Sequence, residues 1–220
     1  MTSQEELLLR IYHILLDHFG PQGWWPAESP FEVVVGAILT QNTAWRNVER
    51  AIDNLKRAGV LDPRAILHMD DRELAELVRP TGYFRVKAGR LKGFVRFLVE
   101  RFEGKVEEMR SQPVEVLRQE LLRLRGIGPE TADSILLYAC EKPILVVDAY
   151  TRRVLKRHRL LQDGLSYDEV QRFFMERLPR DLEIFKEYHA LLVRLGKTFC
   201  RPKARCKGCP LEGLFLRGEG

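Results

Sequence analysis

The sequence lacks the features that define several protein classes. Its apolar runs are far shorter than the roughly 20 residues of a membrane-spanning helix, and its first six residues do not have the basic and apolar regions of a signal peptide. We therefore expect a soluble cytoplasmic protein with no membrane partner. Only four cysteines occur in 220 residues, which argues against the disulfide framework of a small secreted domain.

Signals for β-structure are also missing. There is no Asn-Gly hairpin dipeptide, no alternation of strands with helices and no short repeat. The run Phe31–Leu39 could form a strand, but its continuation favours two helices with a break near Gln41. We predict an all-α protein of about ten helices. Two further helices are predicted to begin at Asp62 and Asp70. Six more are predicted to span Phe84–Phe102, Val114–Leu124, Pro129–Cys140, Asp148–Arg159, Tyr167–Leu178 and Leu182–Leu195.

The charge balance is only slightly basic, with 36 basic and 31 acidic residues and a net charge of +5. Its distribution is more informative, because basic residues crowd two short segments, and a local basic surface suits a polyanion. These residues are Arg152, Arg153, Lys156, Arg157, His158 and Arg159 in the first segment, and Arg201, Lys203, Arg205 and Lys207 in the second.

A glycine pair forms the connection between two predicted helices. Gly126 and Gly128 flank Ile127, and Pro129 takes the first position of the next helix. Glycines let the backbone come close to a ligand, and the amides at a helix start form an anion site. The motif predicts a grip on phosphate, although a glycine-rich connection between packed helices has the same pattern.

Asp148 follows the apolar run 144–147 and precedes a predicted helix, where aspartate commonly serves as the N-cap. A carboxylate held at a helix start beside a bound nucleic-acid backbone has a second use. It can stabilise positive charge that develops on a sugar, or it can orient a water molecule for attack.

Taken in order along the chain, these motifs resemble the helix-hairpin-helix DNA glycosylases of the endonuclease III superfamily. The resemblance runs from about residue 24 to residue 209, and within this range the segment 39–43 looks like the early helix-breaking segment of the family. It implies two helical lobes with double-stranded DNA bound in the cleft between them and the damaged nucleotide flipped out. One lobe would combine residues 1–30 and 135–220 and would carry a C-terminal cysteine loop. The other lobe would comprise residues 31–134 and would end in the helix-hairpin-helix.

The resemblance also assigns roles to individual residues. The essential aspartate of the family corresponds to Asp148, and the DNA wedge corresponds to Gln41 or Asn42. The hairpin residues Gly126, Gly128 and Thr131 would contact the DNA backbone. We expect a monomer that acts at the nucleoid.

One position departs from the bifunctional members of the family. They carry a lysine two residues beyond the second glycine, where it attacks the sugar and forms a Schiff base, whereas this chain has Glu130. A carboxylate cannot form an imine. We therefore predict a monofunctional glycosylase, although Glu130 also suits the first turn of a helix. A lyase that uses another amine, such as Lys142 or Lys156, is a weaker alternative.

All three tryptophans lie early in the chain, at Trp24, Trp25 and Trp45. They could pack in the core, but indoles also stack on electron-deficient alkylated purines. Together with Glu130 and the segment 138–140, they resemble the 3-methyladenine DNA glycosylase branch. We therefore expect the substrate to be an alkylated purine such as 3-methyladenine. A mismatch- or oxidised-base glycosylase and a non-catalytic DNA-structure binder remain as alternatives.

Three cysteines near the C-terminus, Cys200, Cys206 and Cys209, have a spacing close to that of metal ligands. The resemblance implies a [4Fe–4S] cluster, for which four thiolates are usual. The first gap is one residue shorter than in the family, and the fourth position holds Phe215. The remaining alternatives are a foreign fourth ligand, recruitment of Cys140, or zinc bound with the help of His189.

Overall fold

The computed structural model describes residues 3–162 and 164–214. Within these ranges the chain forms eleven α-helices and no β-strand, so the predicted all-α fold is confirmed. The chain divides into two compact units. The terminal unit comprises Met1–Trp24 and Pro143–Gly220, and the central unit comprises Trp25–Lys142. No helix in the described part of the chain is long and apolar enough to cross a membrane.

The terminal unit contains four helices, in which α9 and α11 pack closely together. The helices are α1 (Ser3–Phe19), α9 (Ala149–Arg157), α10 (Tyr167–Met175) and α11 (Leu182–Thr198). Gly196 permits the close approach, because a Cβ at this position would lie 2.3 Å from Tyr150 Cδ1. Tyr188 of α11 is fully buried, packs edge-on against Phe174, and donates a 2.9 Å hydrogen bond to the Leu8 carbonyl.

The central unit contains seven helices, of which α2 packs against α3, α6 and α8. They are α2 (Pro30–Leu39), α3 (Trp45–Arg57), α4 (Pro63–His68), α5 (Asp71–Leu77), α6 (Phe84–Phe102), α7 (Val114–Arg123) and α8 (Pro129–Ser134). Every residue from Phe31 to Leu39 is buried. A helix that is apolar on all sides belongs in a core, which explains why this run could also be read as a buried strand.

The helix starts follow local capping chemistry. Asp62 and Asp70 accept hydrogen bonds from backbone amides in the first turns of α4 and α5, so both predicted starts are confirmed. The predicted helix Pro129–Cys140 is only partly α-helical, since α8 ends at Ser134 and a π-helical turn, Ile135–Ala139, continues it.

The borders between the units differ from the predicted ones at residues 30/31 and 134/135. The structure divides the chain at 24/25 and 142/143 instead. Trp25 packs its ring against Trp45 and Tyr138, and Lys142 donates a 2.6 Å hydrogen bond to the Arg110 carbonyl. These tertiary contacts draw residues 25–30 and 135–142 into the central unit, and the chain shows no change of composition at these points that would mark a border.

Candidate active site

The glycine pair lies in the connection between α7 and α8. Gly126 has a φ of +83°, a conformation that side chains disfavour, and Ile127 between the glycines is buried. Arg118 of α7 binds Asp133, just inside α8, through two contacts of 2.7 and 3.2 Å. Since the Asp133 side chain is fully buried, this two-pronged ion pair holds the two helices of the hairpin together.

Gln41 and Arg90 are joined to the hairpin by hydrogen bonds. The Gln41 side-chain amide donates to the Gly126 carbonyl at 3.1 Å and to the Thr131 hydroxyl at 2.9 Å, and Arg90 donates to the Gln41 side-chain oxygen. A Cβ on Gly126 would lie 2.3 Å from Arg90 Nε, so the glycine also makes room for this side chain. The structure therefore brings three of the predicted DNA-binding residues into one hydrogen-bonded cluster.

Only part of the predicted DNA-binding set faces solvent. Thr131 is buried, with 7% exposure, and its hydroxyl is engaged by Gln41. Gly126 and Gly128 are exposed, and their amides donate no hydrogen bond within the described residues. Asn42 is exposed as well, with a φ of +52° at the tip of the turn between α2 and α3. Asn42 is therefore exposed while the Gln41 side chain is held by the hairpin, and the wedge role of either residue stays a prediction.

Asp148 caps the N-terminus of α9. Its Oδ1 accepts a 2.7 Å hydrogen bond from the Thr151 amide, and only 8% of the residue is exposed. The extended segment before it is held by α10, since Val147 donates its amide to the Tyr167 hydroxyl and Gln171 donates to the Leu145 carbonyl. Backbone contacts on both sides therefore fix the position of the carboxylate.

The carboxylate of Asp148 is stabilised in its ionised form. Burial alone would raise its pKa, but the neighbouring His189 imidazole and the Thr151 amide outweigh that effect, so the pKa lies below its usual value. Nε2 of His189 on α11 lies 3.8 Å from Oδ2 of Asp148. The site thus holds a buried negative charge at neutral pH, which is the property that a carboxylate needs to stabilise a sugar cation.

Two of the three tryptophans form an aromatic cluster with Tyr138. The Trp25 ring meets Trp45 edge-on at 5.3 Å and lies tilted against Tyr138 at 5.4 Å. The Trp25 ring also covers Gly36, where a Cβ would lie only 3.1 Å from it. Trp24 is half-buried and is the last residue of the first segment of the terminal unit. Trp25 and Trp45 are each partly buried as whole residues.

The basic segment after Asp148 serves partly to hold the cysteine loop in place. Arg153 donates to the Cys200 carbonyl at 2.6 Å, and Arg157 donates to the carbonyls of Arg201 and Pro202. These arginines therefore stabilise the terminal unit in addition to adding positive charge. Exposed positions of the segment, such as Arg159, are the ones left to face a polyanion.

The three C-terminal cysteines lie near one another. Cys200 is buried, Cys206 is exposed, and the pKa of Cys209 is raised by burial and then by the other two thiols. Arg157 contacts the Cys200 sulfur at 3.4 Å. In residues 3–162 and 164–214, however, no group of three or more His, Cys, Asp or Glu side chains is arranged to hold a metal ion.

The candidate fourth ligands do not complete the set. His189 faces Asp148, and burial raises the pKa of the Cys140 thiol to about 12, which disfavours the thiolate that a metal needs. Phe215 lies outside the described residues. The described donors therefore do not fit a four-thiolate cluster. Both the [4Fe–4S] cluster and zinc stay predictions, and no chemical step below depends on either.

Two lysines, Lys142 and Lys87, are held by hydrogen bonds to main-chain carbonyls. Glu130 is exposed in the first turn of α8, and Lys142 is engaged by the Arg110 carbonyl. No motif marks Lys87, which is 1% exposed and donates to the carbonyls of Leu39 and Thr81 at 2.9 and 2.8 Å. Burial lowers the pKa of Lys87 to about 8, but its amine is inaccessible to a nucleotide.

Comparison with known proteins places the chain among DNA repair enzymes. The family model of the HhH-GPD superfamily base excision DNA repair proteins matches residues 35–180. The chain is 52% identical over 213 residues, 96% of each protein, to "Putative DNA repair glycosylase MJ1434" of Methanocaldococcus jannaschii. It is 28% identical to endonuclease III of Thermotoga maritima, over 87% of this chain and 85% of that protein.

Solved structures show the same similarity. H. pylori 3-methyladenine DNA glycosylase (MagIII) bound to 1,N6-ethenoadenine matches with a TM-score of 0.76 and 29% identity, over 89% of this chain and 98% of that one. A non-covalent endonuclease III–DNA complex matches with a TM-score of 0.82 and 22% identity, over 98% and 96% of the two chains, and so shows the fold. This chain is a DNA glycosylase of base excision repair, and it belongs to the HhH-GPD superfamily of base excision DNA repair proteins.

Proposed function

We propose that this chain is a monofunctional DNA glycosylase that removes an alkylated purine, such as 3-methyladenine, from duplex DNA. The observation that carries the proposal is the carboxylate of Asp148, which is buried, oriented by the Thr151 amide and kept ionised. Such a group is poised to stabilise positive charge on a deoxyribose.

The proposed reaction breaks one bond and forms one. The N-glycosidic bond breaks, and its electron pair leaves with the base. Asp148 stabilises the positive charge that develops on the sugar, and a water molecule then adds to C1′ and loses a proton to solvent or to the carboxylate. An alkylated purine that carries a positive charge leaves as a neutral base, so Asp148 does not need to supply a proton.

The absence of a lyase step is inferred from Glu130. In this position, two residues beyond Gly128, the bifunctional relatives use a lysine amine as the nucleophile, and a carboxylate cannot form the Schiff base. Asp148 therefore supports base loss alone, and the product is an intact strand with an abasic site.

The preference for an alkylated purine is inferred from the aromatic cluster. Trp25 and Trp45, both partly exposed residues, meet edge-on, and Tyr138 lies tilted against Trp25. A cationic or electron-deficient purine gains from stacking on indole more than a neutral base does. The similarity to the H. pylori 3-methyladenine DNA glycosylase supports the same substrate class.

A panel of duplexes tests the proposal. Each duplex carries one alkylated, oxidised, deaminated or mismatched base, and the released free base is identified by mass spectrometry. We expect release of alkylated purines, an unbroken abasic strand and no covalent adduct after borohydride treatment. Preferential release of another base class would overturn the substrate, an adduct would overturn monofunctionality, and no release from any duplex would leave a DNA-structure binder.

Asp148→Asn tests the catalytic role, with Asp181→Asn as its matched control. Asp181 caps α11 through the Ile184 amide as Asp148 caps α9, but it is exposed. Because Asn is an equally good N-cap, both variants should fold. We expect Asp148→Asn to bind damaged duplex with wild-type affinity and to lose base release, and Asp181→Asn to retain both. Base release by Asp148→Asn at the wild-type rate would contradict the role.

A further inference from the structure

The two oxygens of the Asp148 carboxylate face different groups. Oδ1 accepts the Thr151 amide at 2.7 Å, which is the ordinary N-cap contact. Oδ2 lies 3.8 Å from Nε2 of His189 on α11. The cap contact alone leaves the second oxygen, and hence the rotation of the carboxylate, undetermined.

His189 occupies the part of α11 that faces the start of α9. Both residues are almost inaccessible, with 7% exposure for His189 and 8% for Asp148. Burial strengthens the electrostatic interaction between an imidazole and a carboxylate that lie side by side. Their separation is longer than a hydrogen bond, but contacts that act in catalysis are often long in the absence of substrate and shorten in the complex.

We propose that His189 is a positioning residue for Asp148, donating its Nε2 proton to Oδ2 so that the carboxylate is held in one rotation and kept ionised. This inference rests on the catalytic role proposed for Asp148. His189 touches neither DNA nor the reacting sugar in this scheme, and it acts through the carboxylate.

The groups around Asp148 in the terminal unit agree with this assignment. Thr151 from α9 and His189 from α11 face the carboxylate, while Tyr167 from α10 contacts the backbone that precedes it. The His189 side chain is the one that adds a favourable charge interaction and lowers the pKa of Asp148 along with Thr151. Removing the imidazole should therefore raise the pKa of Asp148, because burial would then be opposed by the cap alone.

Two substitutions distinguish the proposed contact from simple packing. The side-chain nitrogen of glutamine can occupy the position of His189 Nε2, whereas that of asparagine falls near Nδ1 and cannot reach Oδ2. We expect His189→Gln to keep most of the low-pH activity. His189→Asn should shift the acidic limb of the pH–rate profile upwards by about one unit, which lowers the rate on that limb about tenfold.

The assay is single-turnover release of base from a duplex that carries one 3-methyladenine, measured across the acidic pH range. Tyr188→Phe is the matched control, because it removes a buried hydrogen bond from the neighbouring residue of α11 without touching Asp148. Its profile should keep the wild-type shape. A merely structural defect would lower the rate at every pH and would not move the limb.

Each outcome decides the proposal. An acidic limb of His189→Asn that superimposes on the wild-type limb would overturn it, and so would equal shifts in the asparagine and glutamine variants, because the contact depends on reach. If His189→Asn does not fold, His189→Leu supplies the same comparison, since it also lacks a donor at this position. If Asp148→Asn still releases base, the proposed function itself fails; if it does not, an unshifted limb refutes only the role of His189.

Discussion

Gly126 and Gly128 should respond differently to the same small substitution. Each is changed to alanine, which adds one methyl group. At Gly126 the backbone φ is +83°, and the new Cβ would lie within 3 Å of three Arg90 side-chain atoms. At Gly128 the φ is −92°, and nothing lies within 4 Å of the new Cβ. The folded protein therefore requires a glycine at the first position and not at the second.

The expected loss of stability follows from these contacts. Alanine in the left-handed conformation costs about 1 kcal/mol or slightly more. The displaced Arg90 would also lose its charge-assisted hydrogen bond to Gln41, which contributes roughly 2 kcal/mol. Gly126→Ala should thus lower the free energy of unfolding by about 3 kcal/mol, or the melting temperature by roughly 10 °C in a chain of this size.

Gly128→Ala should be close to neutral for folding but should weaken DNA binding. A less favoured N-cap costs at most about 1 kcal/mol. The methyl group would, however, stand beside an exposed amide that we expect to meet a phosphate. Loss of that approach should reduce affinity for an undamaged duplex roughly tenfold, equivalent to about 1.4 kcal/mol.

Urea denaturation and fluorescence anisotropy with a labelled duplex at fixed salt measure the two effects separately. If Gly126→Ala is as stable as Gly128→Ala, the hydrogen bonds that join Arg90, Gln41 and the hairpin do not contribute to stability. If Gly128→Ala binds the duplex like the wild type, this glycine is not kept open for DNA.

Three further outcomes are expected. Arg118→Leu should lower the free energy of unfolding by about 3–5 kcal/mol, because it leaves the Asp133 carboxylate buried without its guanidinium partner. Adding Asp133→Leu to the same chain should recover much of that loss in denaturation curves. Equal stability of the single and the double variant would contradict this prediction. The folded pKa of Lys87, about 8, lies below its ordinary 10.5, so the unfolded chain binds more protons between these pH values. The free energy of unfolding therefore rises with pH over this range, by up to about 3 kcal/mol. Lys87→Met should remove that rise, and an unchanged slope of the free energy of unfolding against pH would refute this prediction. Cys206→Ser should leave base release unchanged, because no step of the proposed reaction involves the cysteine loop. Iron analysis of the wild type tests the predicted cluster: four irons per chain in a brown protein would confirm it, and a colourless protein without iron would refute it.

Local chemistry encodes most of the helices. Asp62, Asp70 and Asp148 cap helices through their own side chains, and these contacts involve residues two or three positions apart. Apolar periodicity then places the remaining segments, as in Phe84–Phe102, which the structure reproduces residue for residue. Interactions of such short range can be read from the order of residues, and so can the family and the position of its aspartate.

Contacts between distant segments were not visible in that order. Gln41 has the polarity of an exposed wedge, but a neighbour 85 residues away holds its side chain against the hairpin. Lys87 has the polarity of a surface residue, yet two carbonyls at helix and turn ends satisfy its buried amine. Such partners are selected by the packing of the helices, which no single segment specifies.

The residues themselves determined an all-α chain, a glycine hairpin and one aspartate at a helix start, because turns, caps and amphipathic periodicity are local. The tertiary structure decided which groups those features meet. It placed His189, which the sequence suggested only as a zinc ligand, against Asp148 instead of the cysteines. A carboxylate acquires its charge state from burial and from neighbours on other helices, and those are fixed only when the chain has folded.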